Sequence, residues 1–191
     1  MSGRERAGFE RKLAVHSAPA LLGVKCANLI SLQVSECSPS EYATEFELRS
    51  GLRMRILCRC RERVLVYVYQ PLLLDIQLSQ PDVTAFLAQY GYMPDMSAEE
   101  MLVCLSGRMK CGSFPHEICI FLGYPLPDVQ GFIENEGKNC LLCGYYKVYS
   151  DPEQAQRTFA NYDRCRDILC DKLDRGYDLF QALVLSKEEL S

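Results

Sequence analysis

The chain has 191 residues, a net charge of -4 and a mean hydropathy of -0.09, with 48% hydrophobic residues. That length supports one globular domain, residues 1–191, with a core of its own. No charge-free apolar run approaches the ~20 residues of a membrane span, and the acidic balance argues against a general nucleic-acid binder.

The N-terminal stretch MSGRERAGFERK is charged and leads into no apolar signal core. A cytoplasmic protein is expected, with its eleven cysteines, an odd number, kept as thiols. Phe9 to Val15 reads as a first helix. His16-Ser17-Ala18-Pro19 should break it, because the residue before a proline avoids helical geometry. Ala20 to Gly23 adds a turn, and Cys26 to Leu32 reads as a strand or extended segment. Ser38-Pro39-Ser40-Glu41 is a capping box opening a helix to Ser50, with Gly51 as its stop.

Alternation then takes over. Met54, Ile56, Cys58 and Cys60 fall on one face and Arg53, Arg55, Arg59 and Arg61 on the other, with Leu57 out of step. Val64 to Tyr69 is apolar on both faces, which predicts a central strand paired antiparallel to the first. Pro81 opens a helix ending at Gly91, and Ser97 to Glu100 is a second capping box. Asp151-Pro152-Glu153-Gln154 starts the longest helix, which ends at Gly176. A last short helix, Leu179 to Val184, precedes a polar tail. The fold class is α+β: a small, mainly antiparallel sheet covered by six to eight helices.

The unusual residues concentrate in Phe114 to Tyr149. Pro115 suits a helix start, His116 to Leu122 reads as a short helix ended by Gly123, and a second helix begins near Asp128. Gly144 to Tyr149 is β-branched and aromatic, hence a strand.

Four constellations are chemically suggestive. Cys140-x-x-Cys143 has the spacing of a metal knuckle, although no second such pair exists to close the site. Ser17 and His116 are a candidate nucleophile and base for a hydrolase or transferase, without a nucleophile-elbow motif. Arg53, Arg55, Arg59 and Arg61 can hold an anion or an acidic protein partner, or simply shield an edge strand. Tyr67, Tyr69, Tyr90, Tyr92, Tyr124, Tyr145, Tyr146 and Tyr149 can wall a pocket for a planar ligand or build an aromatic core. No motif specifies a cofactor. His16, Ser17, Lys25, Asn28, His116, Glu117 and Lys147 interrupt apolar runs at breaks between elements, where binding residues gather, and are expected to converge on one pocket, with Tyr149 a further ligand-binding candidate. Lys147 between tyrosines suits a small anionic ligand. The expectation is a ligand- or partner-binding accessory protein, with an enzyme or a cysteine-based metal or redox protein as alternatives.

The segments HSAPALLGVKCANLISL, VLVYVYQP, FPHEICIFLGYPLPDVQGFIENEGKN and CGYYKVYSDPEQA together resemble domain-of-unknown-function family 3793, a set of proteins from anaerobic Gram-positive bacteria. The resemblance implies a bacterial cytoplasmic protein of one domain and carries no assigned activity. In the family pattern the Ser17 position is often cysteine and the Tyr146 position often tryptophan. The first departure weakens a thiol-nucleophile reading for this chain.

Overall fold

Ser2 caps the first helix: its hydroxyl accepts the Glu5 N–H at 3.3 Å, and the Glu5 carboxylate accepts the Ser2 N–H at 2.7 Å. The resulting α1 (Gly3–Leu21) starts before the expected Phe9 and runs through the expected break, with Pro19 in its last turn. A proline removes only one N–H, and the chain is already leaving the helix there. The Pro19 carbonyl accepts from Val24 and Lys25 at 2.9 and 3.1 Å, and Gly23 takes φ +79°.

The computed structural model describes residues 2–33, 39–109 and 114–190. The capping box expected at Ser38 therefore lies outside the described residues. Backbone contacts divide the chain into two compact units: Met1–Pro71 with Tyr162–Ser191, and Leu72–Asn161.

The first unit is built on three antiparallel strands, β1 (Ala27–Gln33), β2 (Arg53–Cys60) and β3 (Arg63–Tyr69), in the order β1-β3-β2. β3 is central, as its apolar run predicts. Val64, Val66 and Val68 join Ile30 and Leu32 in the core. Over this face lie α1, α2 (Pro39–Ser50), the C-terminal half of α8 (Pro152–Asp174) and α9 (Leu179–Leu190). They supply Phe9, Leu13, Phe46, Leu169 and Phe180, among others. α9 extends past the expected stop at Val184: its polar tail is rich in helix formers, Ser186 is buried, and Lys172 holds Glu189 at 2.8 Å.

Leu57 was out of step for a structural reason. The pairing jumps from Ile56↔Val66 to Cys58↔Leu65, leaving Leu57 as the extra residue of a β-bulge. The bulge also divides the arginine stripe. Arg53 and Arg55 stand opposite Tyr69 and Tyr67, whereas Arg59 stands opposite Val64, on the alternate set of β3 residues. Arg61 sits in the turn with φ 30°. The expectation that these four share one strand face is therefore corrected.

The second unit is mostly helical. α3 (Pro71–Leu78) was not anticipated from the sequence. α4 (Pro81–Ala88) begins at Pro81 as expected, and α5 (Ala98–Met109) follows the expected capping box, with Ser97 and Glu100 exchanging bonds of 2.8 and 3.3 Å. α6 (Ile118–Phe121) is a single turn that leaves His116 and Glu117 ahead of it, and Gly123 ends it at φ +72°. α7 (Leu126–Glu134) follows. The expected strand over Gly144 to Tyr149 is reduced to a miniature hairpin, β4 (Leu142–Cys143) with β5 (Lys147–Val148). Between them these elements confirm the α+β class. No helix among the described residues is long and apolar enough to cross a membrane.

Candidate functional site

The hairpin β4–β5 and the helix α7 are locked together by one carboxylate. Asp128 is 3% exposed, and its Oδ1 accepts the Tyr149 N–H at 2.7 Å, the Ser150 N–H at 2.9 Å and the Ser150 hydroxyl at 2.9 Å. Charge-assisted bonds of this kind are about twice as strong as neutral ones. Two glycines let the pieces close up. A Cβ at Gly131 would lie 2.5 Å from Tyr149 Cβ, and one at Gly144 would lie 2.3 Å from the Phe159 ring. The aromatic side chains therefore press directly on backbone.

This close packing leaves a cavity of about 330 Å³ lined by Cys119, Tyr124, Phe132, Cys143, Tyr145 and Lys147, among others. Its walls are chiefly aromatic. Tyr124 and Tyr146 lie with ring centres 4.7 Å apart and 32° between planes, and Phe159 meets Tyr146 edge-on at 4.9 Å. The Tyr124 hydroxyl donates to the Tyr145 carbonyl at 3.4 Å, and burial pushes its pKa up to about 12. Tyr146 is shifted up as well, by burial and by the Asp128 charge. Both phenols are neutral at physiological pH and offer flat, uncharged faces.

Lys147 supplies the wall's cation. Its Nζ donates to the Gly137 carbonyl at 2.6 Å and sits 6.0 Å from the Phe132 ring centre. An ammonium has three donors, and this carbonyl takes one of them. The Asp128 charge, by contrast, is spread over three donors.

Other expected site residues fall around this pocket or in the first unit. His116 is exposed and packs 5.3 Å from the Phe132 ring, behind a pocket wall. Glu117 is 1% exposed; it is ion-paired with Arg108 and accepts the Tyr92 hydroxyl at 3.4 Å. Tyr149 covers Gly131, and its hydroxyl is buried without a hydrogen bond. Cys140 is half-buried and Cys143 exposed. No group of three or more His, Cys, Asp or Glu among the described residues is placed to hold a metal ion.

In the first unit, His16 is exposed, Ser17 is wholly buried with no hydrogen-bond partner for its hydroxyl among the described residues, and the buried Asn28 carbonyl oxygen is in the same condition. Solvent does not reach the Ser17 hydroxyl. Lys25 is 6% exposed and stands 5.5 Å from the Tyr162 ring centre. Arg53 is held by Glu47 at 2.8 Å, so part of the arginine stripe is neutralised by the protein itself.

Cys119, Asp128, Phe132 and Phe159 were not singled out as site residues by the sequence reading. Cys119 and Phe132 read as ordinary inward positions of short helices. Phe159 lies in α8, the next element along the chain, and no local signal connects it to the hairpin.

The fold and this cavity define an α+β protein with an aromatic pocket on its smaller hairpin, lined by one ammonium, Lys147, and one carboxylate, Asp128. The chain belongs to the family described as protein of unknown function (DUF3793), whose model matches residues 13–183. No curated protein and no solved structure matches it.

Proposed function

We propose that the protein binds a small planar anion in the pocket between α7 and the β4–β5 hairpin. The observation that carries this reading is the wall itself: flat neutral tyrosines beside one ammonium whose bonded partner is a neutral carbonyl, with the one carboxylate of the lining, Asp128, already accepting three hydrogen bonds. The volume of about 330 Å³ lies at the small end of the range for ligand sites, which are mostly apolar with a few placed polar groups. An aromatic ring would lie against the tyrosine faces while its acidic group met Lys147. We also place the protein in the bacterial cytoplasm. The family resemblance supports this.

Naphthalene sulfonate is a suitable probe, being planar, anionic and unreactive. Calorimetric titration of the full chain should show saturable binding of one molecule. Tyr146→Ala should weaken binding at least tenfold and Lys147→Gln severalfold, with circular dichroism unchanged. Binding that is absent, or indifferent to both substitutions in folded protein, would refute the proposal.

A further inference from the structure

The pocket wall carries reactive chemistry as well as binding surface. Cys143 and Lys147 are direct cross-strand partners in the β4–β5 hairpin, which puts their Cβ atoms ~5 Å apart on one face. Both line the cavity, and Cys143 is exposed. A second thiol, Cys119, lies in the same wall and is half-buried. Cys140 is only three residues from Cys143 yet is not part of that lining. Three thiols of the first unit are held back by burial. Cys26 is pushed up to about 11, and Cys165 and Cys170 are raised too; a buried, protonated sulfur is a poor nucleophile.

We propose that the ligand class of this pocket includes planar electrophiles of the quinone type, and that Cys143 adds to them. The proposal rests on the planar-ligand reading above. A quinone is flat, so it can lie against the tyrosine faces, and its carbonyl oxygen is where negative charge develops during addition. The step balances without any further reactant. The Cys143 sulfur forms a bond to a ring carbon of the quinone, and the ring's C=C electron pair moves through the conjugated system onto the carbonyl oxygen. Lys147, as a positioning residue, holds that oxygen while the charge builds. The thiol proton and the ring hydrogen at the attacked carbon end on the two oxygens, leaving a hydroquinone joined to Cys143 by a thioether. Sulfur loses its hydrogen, the quinone gains it, and the ring is reduced by the bond that forms.

The test treats reduced full-length protein with an equimolar amount of naphthoquinone and follows it by intact mass and peptide mapping. One quinone should add, at Cys143, at least tenfold faster than at Cys140. Cys143→Ser should remove that fast addition and Cys140→Ser should leave it unchanged. Lys147→Gln should slow it severalfold, with Lys147→Arg restoring part of the rate. Saturating naphthalene sulfonate should slow addition at Cys143 and not at Cys140. Equal rates at the two cysteines, fast addition at Cys119 in place of Cys143, or a rate unaffected by the sulfonate would overturn the proposal. The two readings fail differently. If naphthalene sulfonate binds in a Tyr146-dependent way and Cys143 gains no preference, the pocket stands and the addition chemistry falls. If the sulfonate does not bind at all, the planar-ligand reading falls first.

Discussion

The two units handle their aromatic residues in opposite ways. In the first, Tyr42, Phe46 and Phe180 meet at centre distances of 6.1 to 6.4 Å, and Phe9 closes the set edge-on to Tyr42 at 5.0 Å. Polar groups there are consumed by one another: the Tyr42 hydroxyl donates to Glu10 at 3.0 Å, Glu10 accepts from Arg6 at 2.9 Å, and Arg6 grips Glu45 with two bonds of 2.7 and 2.8 Å. In the second, Tyr124, Tyr145 and Tyr146 line open space, and among the described residues the nearby cation, Lys147, donates to a carbonyl and to no carboxylate. The lesson is that aromatic content does not distinguish core from site. What distinguishes them is whether the rings fill the volume they enclose and whether the charges beside them are already matched.

The first way to break this comparison is to empty the filled side. Phe46 is fully buried between Tyr42 and Phe180. Phe46→Ala should lower unfolding free energy by about 3–5 kcal/mol, as large aromatic truncations in cores do. Urea denaturation measures the loss. At protein concentrations and temperatures where the variant stays folded, naphthalene sulfonate affinity should be unchanged. A matching loss of affinity would show that the two aromatic groups are not independent.

A smaller loss should follow from Gly131→Ala. The added Cβ would stand 2.5 Å from Tyr149 Cβ, so the hairpin must move off α7 and strain the Asp128 bonds. Overpacking of this kind costs ~1–3 kcal/mol. Here both stability and probe affinity should fall together, because the hairpin is the pocket's wall. A stability loss with unaltered affinity would mean that the pocket does not depend on the contact between α7 and the hairpin.

How much of this was legible depended on the range of the interactions involved. The β2–β3 hairpin was readable because alternation is local, and even the anomaly at Leu57 was a true signal, of a bulge. Gly51, Gly123 and Gly176 were readable as helix stops, and all take positive φ. Pro19 misled because a proline costs one N–H bond to the preceding turn, and in the last turn little further helix depends on it. α3 was missed because the apolar run after Pro71 has no polar face to mark a helical period: Leu74 and Leu78 are buried while Leu72 and Ile76 are exposed. The stretch from Phe114 to Tyr149 was picked as the place of interest because its composition is unusual, and the aromatic pocket is lined by residues within it. Its architecture was not legible. Nothing local says that Asp128 accepts from Tyr149 and Ser150, or that Gly144 is required because Phe159 lies against it. Those are contacts across ~15–20 residues or more, invisible to pattern.

The smallest expected effect is a pH dependence on the filled side. Glu45 accepts hydrogen bonds from Arg6 and from Arg49, and these hold its carboxyl at about 2, against an ordinary 4.5. Since the folded value is depressed, the contribution is fully present above about pH 4.5. It is lost as pH falls from there through about 2. The Glu45 side chain is 35% exposed, so solvent screens the pairs, and exposed ion pairs contribute only ~0.2–1 kcal/mol. Glu45→Gln should therefore cost most at pH 6 to 7 and progressively less as pH falls from 4.5 towards 2, flattening the acid limb of the curve. High salt should shrink the difference between variant and parent, because it screens exposed charges. Urea midpoints collected across that range give the measurement. If the parent and Glu45→Gln curves run parallel down to pH 3, the Arg6–Glu45 pair adds nothing to the first unit, and the matched charges there are a consequence of packing rather than a support for it.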